Sequence, residues 1–185
     1  MGTIFVDTLE PQSGTSLTLG ASGDTIGLAT GATAGFGKIG QIQTSNLTTH
    51  YTINTSSFAD IGLSCAITPT ATSSKILILY KLQYSNNGGE NWTGRLMRDS
   101  TNIALGTGTG TACTVSFATA NANNYWSLEA GGSFLDSPNT TSATTYKFQA
   151  SPNSGTYTMY FNRTARGDSA DPSGIMTLTL MEVLA

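Results

Sequence analysis

From residue 39 onward the chain alternates apolar and polar positions over short stretches, each closed by turn-forming residues. Tyr146, Phe148 and Ala150, for example, alternate with Lys147 and Gln149. On an extended backbone successive side chains point to opposite faces, so this period of two predicts a half-buried strand. Eleven stretches read this way: 39–43, 50–54, 58–67, 75–84, 92–98, 102–105, 113–117, 125–135, 144–151, 156–161 and 175–183. Between them lie Asn86-Asn87-Gly88-Gly89, Gly106 to Gly110, Gly131-Gly132, Pro152 to Gly155 and Asp171 to Gly174, all rich in turn formers. The connection from Leu135 to Lys147 is typical. Pro138 cannot donate to a ladder, and Asp136, Ser137 and Asn139 favour a turn. No segment sustains a helical period. The prediction over residues 39–185 is an all-β head, a jelly-roll-like antiparallel β-sandwich.

One strand departs from simple alternation. In Lys75 to Tyr84, Ile76, Ile78, Tyr80, Leu82 and Tyr84 face one way, but Leu77 and Leu79 face the other, ahead of Lys81 and Gln83. An antiparallel strand with one wet face alternates more cleanly. Tyr157, Met159 and Phe161 are likewise opposed by Tyr160. A subunit interface at Leu77, Leu79 and Tyr160 explains both; coverage by a loop is the alternative.

Residues 1–38 form a different zone. Ile4, Phe5, Val6 and Leu9 make an apolar run that ends at Glu10-Pro11. Three similar units follow, with glycines at 14, 23 and 31 and a few alternating residues each. One such unit cannot bury a face alone, so stacking or intertwining is needed. Leu17, Leu19, Ile26 and Leu28 are then expected to line an axis shared among copies, as an N-terminal β-repeat stalk, with the apolar run as anchor. A flexible Gly/Thr linker is the alternative.

Composition narrows the function classes. Charged residues are only 10% of the chain, against about 25% in an ordinary soluble domain. Net charge is −3 and the eight Lys and Arg are scattered, which argues against a nucleic-acid partner. No apolar run approaches the ~18 residues of a membrane span, so no membrane insertion is expected. The first residues lack the basic start and apolar core of a secretory signal, so synthesis and assembly in a cytoplasm are expected. Cys65 and Cys113 each share an apolar strand face and read as buried thiols, with a single bridge as the alternative.

Candidate chemistry is sparse. His50 is the only histidine, without a nucleophile-elbow motif. Glu90, Asp99, Glu129 and Asp136 are separated acidic residues with no assigned pairing. Gly106 to Gly110 lacks the lysine and helix of a phosphate loop. Arg166-Gly167-Asp168 reads as part of a polar turn, and Asp168 with Asp171 supplies too few oxygens for a hard cation. No enzyme activity, metal or cofactor is expected. Trp92, Tyr125 and Trp126 are candidate glycan contacts, because flat aromatic faces stack on sugar rings; core packing is the alternative.

Three stretches carry a resemblance. They are the Leu135 to Lys147 connection, Gly155-Thr156-Tyr157-Thr158-Met159-Tyr160-Phe161-Asn162-Arg163, and the closing Ile175 to Val183, with Ser73 to Leu79 fitting the same pattern. Together they resemble tailed-phage virion fibre and decoration proteins, particularly those of aquatic phages, over roughly the last two thirds of the chain. The resemblance implies a homotrimeric structural virion protein, a short fibre or capsid decoration protein bound to other capsid or tail proteins. A receptor-binding fibre tip that recognises a host surface glycan is the second expectation. A secreted trimeric ligand of the tumour-necrosis-factor or complement-head type is a third, and an enzyme a fourth.

Overall fold

The computed structural model describes residues 39–88, 92–108, 115–119, 126–152, 157–167 and 173–184. The chain divides into two units, Met1–Gly37 and Lys38–Ala185. The predicted anchor and stalk residues Ile4, Phe5, Val6, Leu9, Leu17, Leu19, Ile26 and Leu28 lie outside the described residues.

Among the described residues there is no helix, and the fold is an all-β antiparallel sandwich. The strands are β1 (Ile39–Leu47), β2 (Tyr51–Ile53), β3 (Ala59–Ile67), β4 (Lys75–Asn86), β5 (Trp92–Arg98), β6 (Thr101–Ile103), β7 (Phe117–Thr119), β8 (Leu128–Asp136), β9 (Thr144–Pro152), β10 (Met159–Phe161) and β11 (Met176–Val183). Most lie within a few residues of the predicted stretches. Asn139, in the connection between β8 and β9, adopts the left-handed conformation with φ 53°, which asparagine tolerates in turns.

One sheet has the order β1-β11-β4-β10-β2, with β8 on the free side of β4; the other has β3-β9-β5-β6, with β7 also on β5. Three of the positions are strands broken in two. β11 pairs with Lys75–Lys81 of β4 and β10 with Tyr84–Asn86, so β10 and β11 lie end to end along one edge. β1 pairs with β11 and β2 with β10, so they form a second broken strand. β6 and β7 share the outer edge of β5 in the same way. With each broken pair counted once, both sheets have four positions: β1/β2, β10/β11, β4, β8 and β3, β9, β5, β6/β7. The chain is thus a ribbon folded in half near Asp99, first strand on last, second on seventh, third on sixth, fourth on fifth. That is the double Greek-key winding of a jelly roll.

The core is the inward phase of these strands. It includes Ile61, Leu63 and Ile67 of β3, Ile76, Ile78 and Leu82 of β4, Tyr146 and Phe148 of β9, and Met176, Leu178 and Leu180 of β11. Cys65 is buried on the same face as a free thiol, and that burial raises its pKa; Cys113 lies outside the described residues. β1 and β4 begin, and β8 and β11 end, at one end of the sandwich, called the base. At the far end β4 and β9 end and β5 and β8 begin.

Candidate functional site

The outward face of β1, β11, β4 and β8 carries an apolar row. Leu135 stands opposite Leu77, Leu77 opposite Met181, and Met181 opposite Ile42. Directly opposed side chains touch across a sheet, so four separate strands supply one continuous strip. Ile42 is 55% exposed, Leu135 47% and Leu79, two residues along β4 from Leu77, 36%. Beyond Leu79 the face turns polar: Lys81 Nζ meets Glu129 Oε1 at 2.7 Å.

The outward face of the other sheet is built differently. Lys147 Nζ donates to Asp60 Oδ2 at 2.7 Å and Gln149 Nε2 to Asp60 Oδ1 at 2.8 Å. Burial acts to raise the Asp60 pKa, but these two donors outweigh it and lower it. Arg95 lies over the Phe58 ring at 3.6 Å. This face is polar and internally paired; the first is apolar and open.

Tyr160 does not join the row. It sits at the far end opposite Ser85, with the Arg163 guanidinium 4.6 Å over its ring. Ser85 Oγ donates to the Arg163 carbonyl at 3.0 Å, fixing that cover. Coverage by a loop therefore applies at Tyr160, whereas Leu77 and Leu79 stay open.

Asn162 joins the broken strands. Its backbone is left-handed, φ 62°, and it is fully buried. Its N–H donates to the Gln83 carbonyl, and its own carbonyl accepts from Gly174 N–H, both at 3.1 Å. Its side-chain amide donates to the carbonyls of Leu47 (2.7 Å) and Thr49 (3.0 Å), across the gap between β1 and β2. Beside that gap, His50 Nε2 lies 2.8 Å from Ser173 Oγ. This partner was not legible in the sequence, because 123 residues separate the two. Both groups are exposed, and the contact ties the residues before β2 to those before β11.

Two polar clusters close the base. Glu182, on the inward phase of β11, accepts from Thr70 N–H (2.6 Å), Thr70 Oγ1 (2.7 Å) and Gln41 Nε2 (2.8 Å). Burial acts to raise its pKa, but the donors outweigh it and bring it down to about 2. Ser74 contributes to that lowering, although its hydroxyl makes no well-aligned hydrogen bond. In the second cluster Arg98 Nη1 reaches Asp136 Oδ2 at 2.9 Å and Tyr146 OH donates to the same oxygen at 2.7 Å. Burial and that carboxylate raise the Tyr146 pKa far above its ordinary value. Asp99 Oδ1 accepts from Thr145 N–H at 2.8 Å. Asp99, Glu129 and Asp136 are thus each engaged in structural contacts, and Glu90 lies outside the described residues. Among the described residues no group of three or more His, Cys, Asp or Glu is placed to hold a metal, and no helix is long and apolar enough to cross a membrane.

The aromatic candidates separate. Trp92 is 1% exposed and packs on Tyr84 (4.1 Å), Phe117 (5.2 Å) and Phe161 (6.4 Å). It is core and has no face open to a glycan, which corrects that expectation. It shares the inward phase with Gly94, whose missing side chain leaves room for Phe117. Trp126 is 63% exposed at the far end; Tyr125 lies outside the described residues, as do Asp168 and Asp171. Leu105 and Gly106 border an open cleft of about 390 Å³ at the edge of the sandwich, beside Tyr80 and Phe134. No protein-family model matches the chain, and no curated protein matches it.

Proposed function

We propose that this chain is a non-enzymatic structural virion protein of a tailed bacteriophage, a homotrimeric short fibre or capsid decoration protein. Residues 1–38 attach it to other virion proteins and the jelly-roll head projects. The observation that carries the reading is the open apolar row of Leu135, Leu77, Met181 and Ile42 on one sheet, against the paired polar face of the other. Apolar surface left in water is unfavourable by about 25 cal/mol per Å², and a continuous exposed patch marks a contact surface. A second copy presents the same row, and three copies are what the family resemblance implies. The low charge of the chain suits a crowded assembly.

Light scattering on the full chain tests the oligomer. A mass about three times the 19.2 kDa chain is expected, and L77E is expected to reduce it to the monomer without loss of sheet structure, because it places a charge in a dry contact. A native monomer refutes the assembly. Imaging of labelled protein on purified particles tests the location, with many copies over the capsid expected for decoration and few copies on the tail for a fibre.

A second reading, a receptor-binding tip for a host surface glycan, is favoured by exposed Trp126 at the far end, opposite the end where β1 begins.

A further inference from the structure

The side edge of the sandwich, between edge strand β8 of one sheet and edge strand β6 of the other, holds the open cleft of about 390 Å³. Its size falls within the ~300–1,000 Å³ range of small-molecule sites. Tyr80, Leu96 and Phe134 supply apolar and aromatic surface, and Ala104, Leu105 and Gly106 line the facing side.

Gly132 opens this cavity to Tyr80. It pairs directly with Tyr80 across β4 and β8, and a Cβ placed on it would stand 2.9 Å from the Tyr80 hydroxyl. Without that Cβ, the phenol oxygen lies under a bare stretch of edge strand. The Tyr80 ring is itself held, packed on Phe148 at 4.8 Å. Burial raises the phenol pKa, so the hydroxyl remains a neutral donor and acceptor at neutral pH.

The opposite wall is backbone held in an unfavourable conformation. Ala104 has φ 54°, a left-handed state that is unfavourable for a residue with a Cβ. It turns the chain out of β6 along the cavity. Gly106 N–H then donates to the Val115 carbonyl at 3.1 Å. Ser116 Oγ closes the loop by accepting from Leu96 N–H (2.8 Å) and donating to the Ile103 carbonyl (2.9 Å). Strain held in place by surrounding bonds is characteristic of ligand sites.

The lining selects the ligand class. Among the described residues it contains no charged side chain, so no described side chain offsets the desolvation of a phosphate or carboxylate. A purely apolar ligand seated here would cover the Tyr80 hydroxyl without giving it a partner, which is unfavourable. A neutral sugar ring has an apolar C–H face for an aromatic wall and hydroxyls for the rest. We propose that this edge cleft binds one ring of a neutral saccharide, with its C–H face on the aromatic wall and a ring hydroxyl bonded to Tyr80. The assignment deepens the receptor-binding reading and depends on it only for biological use; binding itself is independent of it.

The full chain titrated with methyl glycosides of neutral sugars, followed by ligand-observed NMR, tests the site. A sialoside and an alkyl alcohol serve as controls. At least one neutral glycoside is expected to bind and both controls to fail. Y80F keeps the ring and should weaken binding by up to about tenfold, the net value of one hydrogen bond. G132A should occlude the cleft with the melting temperature little changed. The proposal is overturned if no neutral glycoside binds, if a control binds as well, or if native and Y80F chains bind alike, which would place the sugar elsewhere. Competition for host adsorption separates the two ideas. A chain that blocks adsorption equally with and without Y80F supports the receptor reading and removes this site from it. Tyr80-dependent sugar binding without any block keeps the site and removes the receptor role.

Discussion

Asn162 is asked to do what a backbone ordinarily does. Its side-chain amide takes the carbonyls of Leu47 and Thr49, at the break between β1 and β2. Its left-handed backbone lets the chain leave the sheet and return at Gly174. N162A keeps the adverse φ and loses both donors, so a loss of about 2–4 kcal/mol is expected in denaturant unfolding. N162G loses the same donors but tolerates the φ, and should recover about 1 kcal/mol of that. Equal losses would show that the φ is not strained. Glu182 makes a pH-dependent contribution. Its pKa falls from 4.5 to about 2 on folding, so its stabilisation is complete above 4.5 and disappears as pH falls towards 2. E182Q, which sets an amide among donors, should cost about 1.5–3 kcal/mol at neutral pH. Near pH 2 the native and variant chains should unfold at nearly the same denaturant concentration.

At the scale of the element, a hydroxyl replaces a missing residue of ladder. Ser116 Oγ serves Leu96 N–H and the Ile103 carbonyl where β6 stops and β7 has not begun. S116A leaves both groups unpaired, and a loss of about 1–3 kcal/mol is expected, with faster amide exchange at Leu96. The alternation that predicts strands is a local property, so β5 and β9 were legible almost to the residue. Partnership is not local. The row Leu135, Leu77, Met181 and Ile42 draws on positions far apart in the chain, and only the Leu77 and Leu79 pair left a sequence signal. The breaks at Asn162 and Ser116 were illegible because one side chain bonding across a gap has no period. Tyr160 misled for a related reason: its cover, Arg163, follows it closely in the chain, and alternation does not register a loop folding back. Trp92 and Trp126 both border turns, and only the inward phase shared by Trp92, Gly94 and Leu96 distinguishes them. Glu182 had a signal of its own, an acidic residue on the apolar phase of Met176, Leu178 and Leu180.

For the whole molecule, the division at Gly37 predicts an independent head. A chain beginning at Lys38 is long enough to bury its own core. It should remain soluble, unfold cooperatively and keep the mass of the native oligomer, measured by light scattering and denaturant titration. It should no longer co-sediment with particles that lack the native protein. Full occupancy on those particles would place attachment in the sandwich instead of residues 1–38.

The winding of the ribbon also governs when the protein can come into being. β11 lies between β1 and β4 in the interior of its sheet, and the Gln41–Glu182 hydrogen bond joins residues 141 apart. Contacts that close such long loops form slowly, because chain entropy is lost before the pairing rewards it. A nascent chain still lacking β11 exposes facing edges of β1 and β4, and unpaired edges invite association with other chains. The head is therefore completed only after Val183 has left the ribosome. Stalled chains should stay protease-sensitive at every length short of β11 and become resistant in one step once it emerges.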